Sequence, residues 1–494
     1  MFLEDILDGI EVSGTFNRKT VIKDIIYDSR KASPDSLFVC IKGFQSDGHS
    51  YAMDAYNKGV RLFAAQRPIS LPGDAEVIYS NNTRRFLACA AANLFGRPAE
   101  KLFTVGVTGT KGKTSTCYML KSIFEAAGKK VGIMGNIGIY YGSTSEYLGI
   151  NTPESYEIHR HLRGMVDSGC DVMIMEASSQ GFMLDRTYGI TYDIGIFTNL
   201  SPDHIGAAEH NDFDHYLNCK KKLLFQCKAG FVNSDNEYFE RIIKGVKCPI
   251  KTFSIENTSH FQAVQPVFKS SENKLHTEFT CIEKADGQEI KNRIRLNTPG
   301  YFSLYNAAAA ISAARHCNIS YNDIKNGLES TFIKGRMEIV PIQADYTVII
   351  DYAHNELSVK NLFRTIKLYN PGRIISVFGC GGNRAKQRRY TMGELIGRFS
   401  DISVVTADNS RYEKIEDIVC DIMVGISKTD NEHIIIYDRK KAIEYAMDIA
   451  RQGDVILLIG KGHEFYEEIE GEKRPFCESQ IVLDYFSIKK LRDS

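Results

Sequence analysis

The sequence carries no excess of charge of either sign: 61 Lys and Arg stand against 61 Asp and Glu. A chain without a net positive field has no general means of holding nucleic acid or an anionic membrane. Neither is expected as a partner, although a local basic cleft for a phosphorylated small molecule is compatible with neutrality. No stretch approaches the ~18 uninterrupted apolar residues that cross a bilayer, so no membrane span is expected. The opening residues, MFLEDILDGI, have neither the basic start nor the apolar stretch of a secretory signal. The twelve cysteines include no Cys-x-x-Cys pair and no zinc-like Cys/His spacing. Unpaired thiols in that number fit a reducing compartment, so the cytoplasm is the expected location. Fixed-period repeats and low-complexity tracts are absent as well.

What is present is ordinary for a folded protein: 43% apolar and 25% charged residues. At 494 residues the chain exceeds the roughly 250–300 that one core can serve, and three domains are expected, at residues 1–100, 101–333 and 334–494. The class is α/β. Residues 21–67 alternate short strand-like runs with turns and one helical stretch at 51–58, a small α/β unit. Apolar strands at 102–107, 172–176 and 194–199 separated by amphipathic helices point to a central parallel sheet with helical crossovers. Residues 253–296 change to polar–apolar alternation, which suggests an antiparallel insert. Strand-like runs at 346–351, 373–379, 402–406, 434–437 and 454–460 describe a second, doubly wound (Rossmann-like) domain, whose ligands belong beyond the carboxyl ends of the strands.

One motif carries chemistry by itself. Thr108-Gly109-Thr110-Lys111-Gly112-Lys113-Thr114-Ser115 follows the strand at 103–107 and precedes a helical pattern at 117–127. Glycines there let backbone N–H groups approach phosphates, and the helix N-terminus adds its positive dipole. Lys113 would reach the terminal phosphates of ATP and Thr114 would face a magnesium ion. Counting back from Lys113, the general pattern wants glycine at Val107. The bland alternative is a glycine-rich structural turn, and the order strand–loop–helix argues against it. Kinases, switches and ligases all use such a loop, so it does not name the reaction.

The same eight residues resemble the nucleotide loop of the Mur ligases, which share the departure at the first glycine. Further matches follow in family order. Tyr27-Asp28-Ser29-Arg30, Leu37-Phe-Val-Cys-Ile-Lys-Gly43 and Asp47-Gly-His49 resemble the uridine-diphosphate-binding domain of the members that add the third residue of the peptide stem. Gly135-Asn-Ile-Gly138, Asn151-Thr152-Pro-Glu-Ser155, Met175-Glu176-Ala-Ser178-Ser179 and Asn199-Leu-Ser-Pro-Asp203-His204 match the central domain. The resemblance implies an ATP-dependent ligase that forms an amide through an acyl-phosphate. It places Ser29 at the uridine, and Asn151, Thr152, Ser178 and Arg186 at the muramyl dipeptide. Glu176 and His204 become magnesium ligands. A carbamylated lysine assists them, placed at Lys220 by the count from Tyr216, which is preferred over Lys221, the count from Phe225. For a Lys220–Lys222 run by itself, a solvated basic face is the default reading. Asn306, Arg336 and Asp351 are implied as nucleotide contacts, the last two once the C-terminal domain closes.

The resemblance also puts the incoming amino acid against Arg384, Asp408, Asn409, Arg411, Gly460 and Glu464. An arginine can grip a carboxylate through two parallel hydrogen bonds, so Arg411 suits a diamino acid with a distal carboxylate, such as meso-diaminopimelate. The implied substrates are thus UDP-muramyl-dipeptide, a diamino acid and ATP with Mg²⁺, and a monomer is expected. Gln180, Ser303, Ser410 and Cys477-Glu478-Ser479-Gln480 depart from the family pattern. They leave the phosphate loop and Glu176 intact and bear on the substrate. The alternatives are the same ligase using L-lysine, a paralogue on another carboxylate, a folylpolyglutamate-type ligase, or a nucleotide-binding paralogue without catalysis.

Overall fold

The computed structural model describes residues 1–493 apart from 44, 45, 204, 207, 208, 272, 273 and 286, and apart from the side chains of 271, 274 and 488–493. The chain forms two compact units: residues 1–262 with 282–290 and 305–327, and residues 263–281 with 291–304 and 328–494.

The first unit opens with four short strands, β1 (Asp24–Ile26), β2 (Ser36–Val39), β3 (Leu62–Ala65) and β4 (Glu76–Tyr79), parallel and in that order. Every residue of β2 and β3 is buried, which explains why these runs, Ser36 apart, are continuously apolar rather than alternating. Helix Ala52–Asn57 realises the expected helical stretch, and helix Thr83–Leu94 follows, capped by Asn82 through the N–H groups of Arg84 and Arg85.

The central sheet contributes β5 (Phe103–Thr108), β6 (Val131–Gly135), β7 (Gly138–Tyr141), β8 (Thr144–Glu146), β9 (Val172–Glu176), β10 (Tyr192–Phe197), β11 (Cys227–Asn233) and β12 (Ile250–Ser254). Their order is β12-β11-β10-β5-β9-β6-β7-β8. The run from β12 to β6 is parallel, and β7 and β8 turn back antiparallel. Strand β5 lies in the middle, between β9 and β10. The loops at the carboxyl ends of these three strands therefore meet, which is where a parallel sheet binds ligands. Helices Lys113–Ala126, Ser155–Asp167 and Phe213–Phe225 return the chain between strands. Beyond β12 in the sheet order come three long strands, β13 (Phe261–Ser271), β14 (Lys274–Ala285) and β15 (Gln288–Leu296). They occupy the segment expected as an antiparallel insert, although β13 enters the sheet parallel to β12, and the division into two compact units falls within them.

The second unit carries β16 (Glu338–Ile339), β17 (Thr347–Asp351), β18 (Ile374–Phe378), β19 (Ile402–Val405), β20 (Glu432–Ile435) and β21 (Val455–Ile459), in the order β16-β17-β21-β18-β19-β20. All pairs are parallel except β16 with β17. Strand β20 begins two residues before its apolar run because its register with β19 starts at Ile402 opposite Glu432. A hairpin of β22 (Tyr466–Ile469) and β23 (Glu472–Pro475) precedes the last helix, Glu478–Asp493. The apolar faces of β17, β18, β19 and β21 fill two clusters, one on each side of the sheet. At about 1.5–3 kcal/mol for each fully buried Val, Leu or Ile, these clusters fix where the strand ends lie.

Candidate active site

The phosphate loop starts where β5 ends. Gly109 has φ +145° and Gly112 φ +84°, and a Cβ on either would strike a neighbour, Thr198 Oγ1 at 1.9 Å and Asn306 Oδ1 at 2.3 Å. Only glycine satisfies both the left-handed backbone and the lack of space. Val107, by contrast, is fully buried within β5, which is the physical content of the departure from the general pattern: the loop bends at 109. Asn199 pins the turn by accepting from the Lys111 N–H (2.9 Å) and donating to its carbonyl (3.0 Å). The Thr198 hydroxyl donates to the same carbonyl at 2.7 Å. Helix Lys113–Ala126 begins immediately after Gly112, with no side chain capping it. The N–H groups of Lys113, Thr114 and Ser115 then face the loop at the positive end of a 14-residue dipole.

Glu176 ends β9 and is 2% exposed. Its Oε1 accepts from the Thr114 hydroxyl at 2.8 Å and from the Asn136 N–H at 3.0 Å, while its buried Oε2 has no hydrogen-bond partner. A carboxylate oxygen in that condition costs free energy unless a cation meets it. Beside a hydroxyl and phosphate-facing N–H groups, the donor set is hard oxygen, which suits Mg²⁺. The expected magnesium ligands Thr114 and Glu176 therefore come together and fit the ion. His204, the third, lies outside the described residues.

Helix Phe213–Phe225 separates the two candidate lysines. Lys220, 2% exposed, sends Nζ to the Gly109 carbonyl at 2.8 Å and over the Tyr216 ring at 4.7 Å. Lys221 points elsewhere, to the carbonyls of Arg241 (2.9 Å) and Lys244. Burial, reinforced by Lys113, holds the Lys220 amine well below the usual lysine range against the opposing pull of Asp203. A shift in that direction favours the neutral amine, the form that is a nucleophile. The Tyr216 hydroxyl meets Thr110 Oγ1 at 3.1 Å, so one helical turn braces the loop twice.

The expected dipeptide contacts gather beside Glu176. Thr152 Oγ1 donates to the Glu176 carbonyl (2.8 Å) and lies 3.0 Å from Ser178 Oγ. Arg186 donates to the Thr152 carbonyl (2.9 Å) and to Glu154 (2.8 Å), which Arg84 also holds. Asn151 precedes them, half-buried. Ser29 stands apart. It follows Asp28, which lines a cavity of about 520 Å³ together with Tyr27, Glu146, Glu154, Tyr156 and Arg160. Glu154 thus belongs both to this cavity and to the Arg186 cluster. It was not singled out from the sequence, because its role depends on arginines 70 and 32 positions away.

In the second unit a cavity of about 140 Å³ is lined by all six expected acceptor residues, Arg384, Asp408, Asn409, Arg411, Gly460 and Glu464. Asn409 Nδ2 donates to Glu464 at 2.8 Å, and its Oδ1 accepts from Lys461 at 3.0 Å. Burial raises Glu464, and the neighbouring Asp408 adds to it. Burial pushes Asp408 in the same direction, but Lys461 and Arg439 more than offset it and its carboxyl ends up lowered. Arg411, at φ +53°, donates to the Gly382 carbonyl (2.6 Å) and faces Glu468 (3.3 Å). Arg384 is exposed at the rim. Arg336 and Asp351 also lie in this unit. Asp351 accepts from the Met337 and Ala353 N–H groups, both at 2.8 Å, and Arg336 covers the Tyr352 ring at 4.9 Å.

Three supports were not recognised beforehand. Lys461 is fully buried beneath the acceptor cavity. Arg439, 2% exposed, donates to the carbonyls of Ala407 (2.9 Å) and Ile459 (3.0 Å), directly before Asp408 and Gly460. Glu478, within the divergent Cys477–Gln480 motif, holds that guanidinium at 2.7 Å.

Comparison with known proteins agrees with this geometry. Residues 107–314 match the Mur ligase middle domain, 335–462 the Mur ligase glutamate ligase domain, and 21–94 the Mur ligase family catalytic domain. A Clostridium perfringens protein named UDP-N-acetylmuramoyl-L-alanyl-D-glutamate--2,6-diaminopimelate ligase is 39% identical, covering 98% of this chain and 99% of the relative. A Clostridium tetani protein of the same name is 38% identical over 98% of this chain and 99% of its own. A solved structure of a ligase of that name superposes with a TM-score of 0.71 at 22% identity, covering 99% of each chain, which shows the common fold. The chain is an ATP-dependent ligase and belongs to the Mur ligase family, whose members use ATP and Mg²⁺.

Proposed function

We propose that the chain joins meso-diaminopimelate to UDP-N-acetylmuramoyl-L-alanyl-D-glutamate in peptidoglycan precursor synthesis, with ATP split to ADP and phosphate. The observation that carries this reading is the acceptor cavity. Arg384 and Arg411 stand there with Asp408 and Glu464, cations for two carboxylates and anions for the ammonium group that does not react. Full-length relatives are named for the same acceptor. L-Lysine has one carboxylate and would leave an arginine unmatched.

In the first step the D-glutamate side-chain carboxylate attacks the γ-phosphorus, ADP leaves, and an acyl-phosphate forms. Lys113 and the N–H groups after Gly112 meet the charge on the transferred phosphoryl, the largest contribution expected for such a reaction. Thr114 and Glu176, with His204 and a carbamate on Lys220, would hold magnesium, which would supply positive charge to offset what develops on the phosphates. Thr152, Ser178, Arg186 and Asn151 hold the dipeptide so that its carboxylate faces the loop, and Ser29 holds the uridine in the cavity beside Asp28. The acceptor's neutral amine then attacks the acyl carbon, phosphate leaves, and the proton lost from the nitrogen passes to the released phosphate as the amide forms. Asn306, Arg336 and Asp351 complete the nucleotide contacts.

Lys220 is the better carbamate than Lys221. Its amine, when neutral, can add to carbon dioxide, forming the N–C bond and releasing a proton. Its position against Gly109 puts the resulting carboxylate beside the phosphate loop, whereas Lys221 is tied to the Arg241 carbonyl. The three segments 1–100, 101–333 and 334–494 then serve the uridine substrate, ATP and the acceptor, and the nucleotide-linked substrates place the work in the cytoplasm.

The acyl-phosphate is tested with substrate carrying heavy oxygen in the glutamate side-chain carboxylate. One labelled oxygen should appear in the released phosphate. Unlabelled phosphate would exclude the intermediate.

A further inference from the structure

His210 lies against the start of helix Phe213–Phe225, its ring 5.0 Å from that of His215 and 5.2 Å from that of Tyr216. There the side-chain ligand atoms of His210, His215 and Cys219 lie within 4.8 Å of one another. His215 and Cys219 are four apart on the helix and so share one face, one turn apart. His210 comes from the preceding loop, held in place by the Gly206 N–H donating to its carbonyl at 3.1 Å. Asp212 caps the helix by accepting from the His215 N–H at 2.7 Å, which fixes the first turn. His210 and Cys219 are buried, and the two imidazole rings stand 5.0 Å apart at 69°. The buried Nδ1 of His215 has no hydrogen-bond partner.

We infer that His210, His215 and Cys219 form a binding site for Zn²⁺. Two imidazoles and a thiolate are the donor set that zinc takes, and its bond lengths of ~2.0–2.3 Å put tetrahedral ligands roughly 3.3–3.8 Å apart. Reaching that spacing from within 4.8 Å asks for shifts of roughly 1 Å between ligand atoms. Magnesium is not a competitor here, since it requires oxygen donors. The three protein ligands leave a fourth position for water. Binding deprotonates Cys219, and the proton passes to solvent. The ion would tie the loop carrying Asp203 to the helix carrying Lys220. The site was not announced by sequence spacing: His-x4-His-x3-Cys matches no familiar zinc pattern, and only the return of the loop brings the first histidine to the other two. The inference is independent of the ligase reading.

The test is titration of reduced, chelator-treated full-length protein with Co²⁺, followed by displacement with Zn²⁺. One equivalent should give a tetrahedral visible spectrum with a thiolate-to-cobalt band in the near ultraviolet. Cys219→Ser should lose that band. His215→Gln should weaken binding by more than the ~10–100-fold that loss of an outer-shell partner costs, with both variants shown to be folded by circular dichroism. Zn²⁺ should also raise the melting temperature of the parent protein and not of Cys219→Ser, since a ligand stabilises only the state that binds it. A parent protein without the thiolate band overturns the inference. So does a band that persists in Cys219→Ser, which would place the metal on other cysteines, such as Cys227 and Cys248 at 3.7 Å.

Discussion

Glu176 divides its work between two oxygens, one bonded to Thr114 and Asn136 and one buried without a partner. Replacing it with Gln keeps the first arrangement and removes the charge that the second offers a cation. Glu176→Gln should lower kcat by about 10²–10³-fold, the usual loss for one electrostatic stabiliser, with little change in melting temperature. Phosphate release and a thermal melt check this together. The lysine run gives a paired expectation. Lys220→Ala should abolish turnover and recover part of it when a small carboxylate such as formate is added. Lys221→Ala loses two hydrogen bonds to carbonyls at about 1 kcal/mol each in stability and should retain turnover. Intact-mass measurement in bicarbonate should find one added carbon dioxide, removed by Lys220→Ala and not by Lys221→Ala. The residues of the phosphate loop were legible because their roles are local: glycine where φ is positive, lysine and threonine at a helix start. The choice between Lys220 and Lys221 was only partly so: the count from Tyr216 favours Lys220, and the count from Phe225 favours Lys221. Adjacent helical positions differ by about 100° in direction, and counting along the chain cannot tell which one faces the loop.

Among the elements, strands β19 and β21 carry the acceptor cavity on their carboxyl ends, and Arg439 bridges both by its two carbonyl bonds. Glu478 keeps that buried guanidinium compensated. Removing one partner of a buried pair costs roughly 3–5 kcal/mol, because the other charge remains in place. Glu478→Gln should therefore lower the melting temperature by about 10 °C, given the usual 2–4 °C per kcal/mol for a unit of this size. It should also raise KM for the acceptor more than it lowers kcat. Glu478→Asp should recover part of both. An unchanged acceptor KM would restrict the pair to a role in stability. The β strands themselves were legible as continuous apolar runs, since strands buried on both faces need them. The pair was not, because its members stand 39 positions apart and the motif around Glu478 reads as a departure from the family. What survives of that motif is the acid, the part the arginine needs.

At the scale of the whole molecule, each unit contains a histidine that burial holds far below its ordinary range. His159 in the first unit falls to about 4, by burial alone. His463 in the second also falls to about 4, chiefly by burial, with Arg336 and Lys334 adding to it. Between pH 4 and the unfolded value of about 6.5 the unfolded chain binds more protons at these sites, so their contribution to stability rises with pH. It is complete above about 6.5 and is lost as pH falls toward 4, by roughly 2 kcal/mol per histidine at pH 5. Melts between pH 7.5 and 5 should show His159→Leu flattening this acid limb; an equal slope in the variant would contradict the assignment. Such burial is invisible in the sequence, where His159 is simply one polar position on an amphipathic helix.

The most direct test of the proposed reaction measures phosphate released from ATP and Mg²⁺ with UDP-muramyl-dipeptide, adding meso-diaminopimelate or L-lysine in parallel. Diaminopimelate alone should stimulate release and increase the mass of the nucleotide peptide by one residue, and Arg411→Ala should raise its KM by about 10–100-fold, as expected for a lost charge-assisted bond of roughly 1.5–3 kcal/mol. Stimulation by L-lysine alone, or none by either from protein that still binds ATP, would contradict the proposed acceptor.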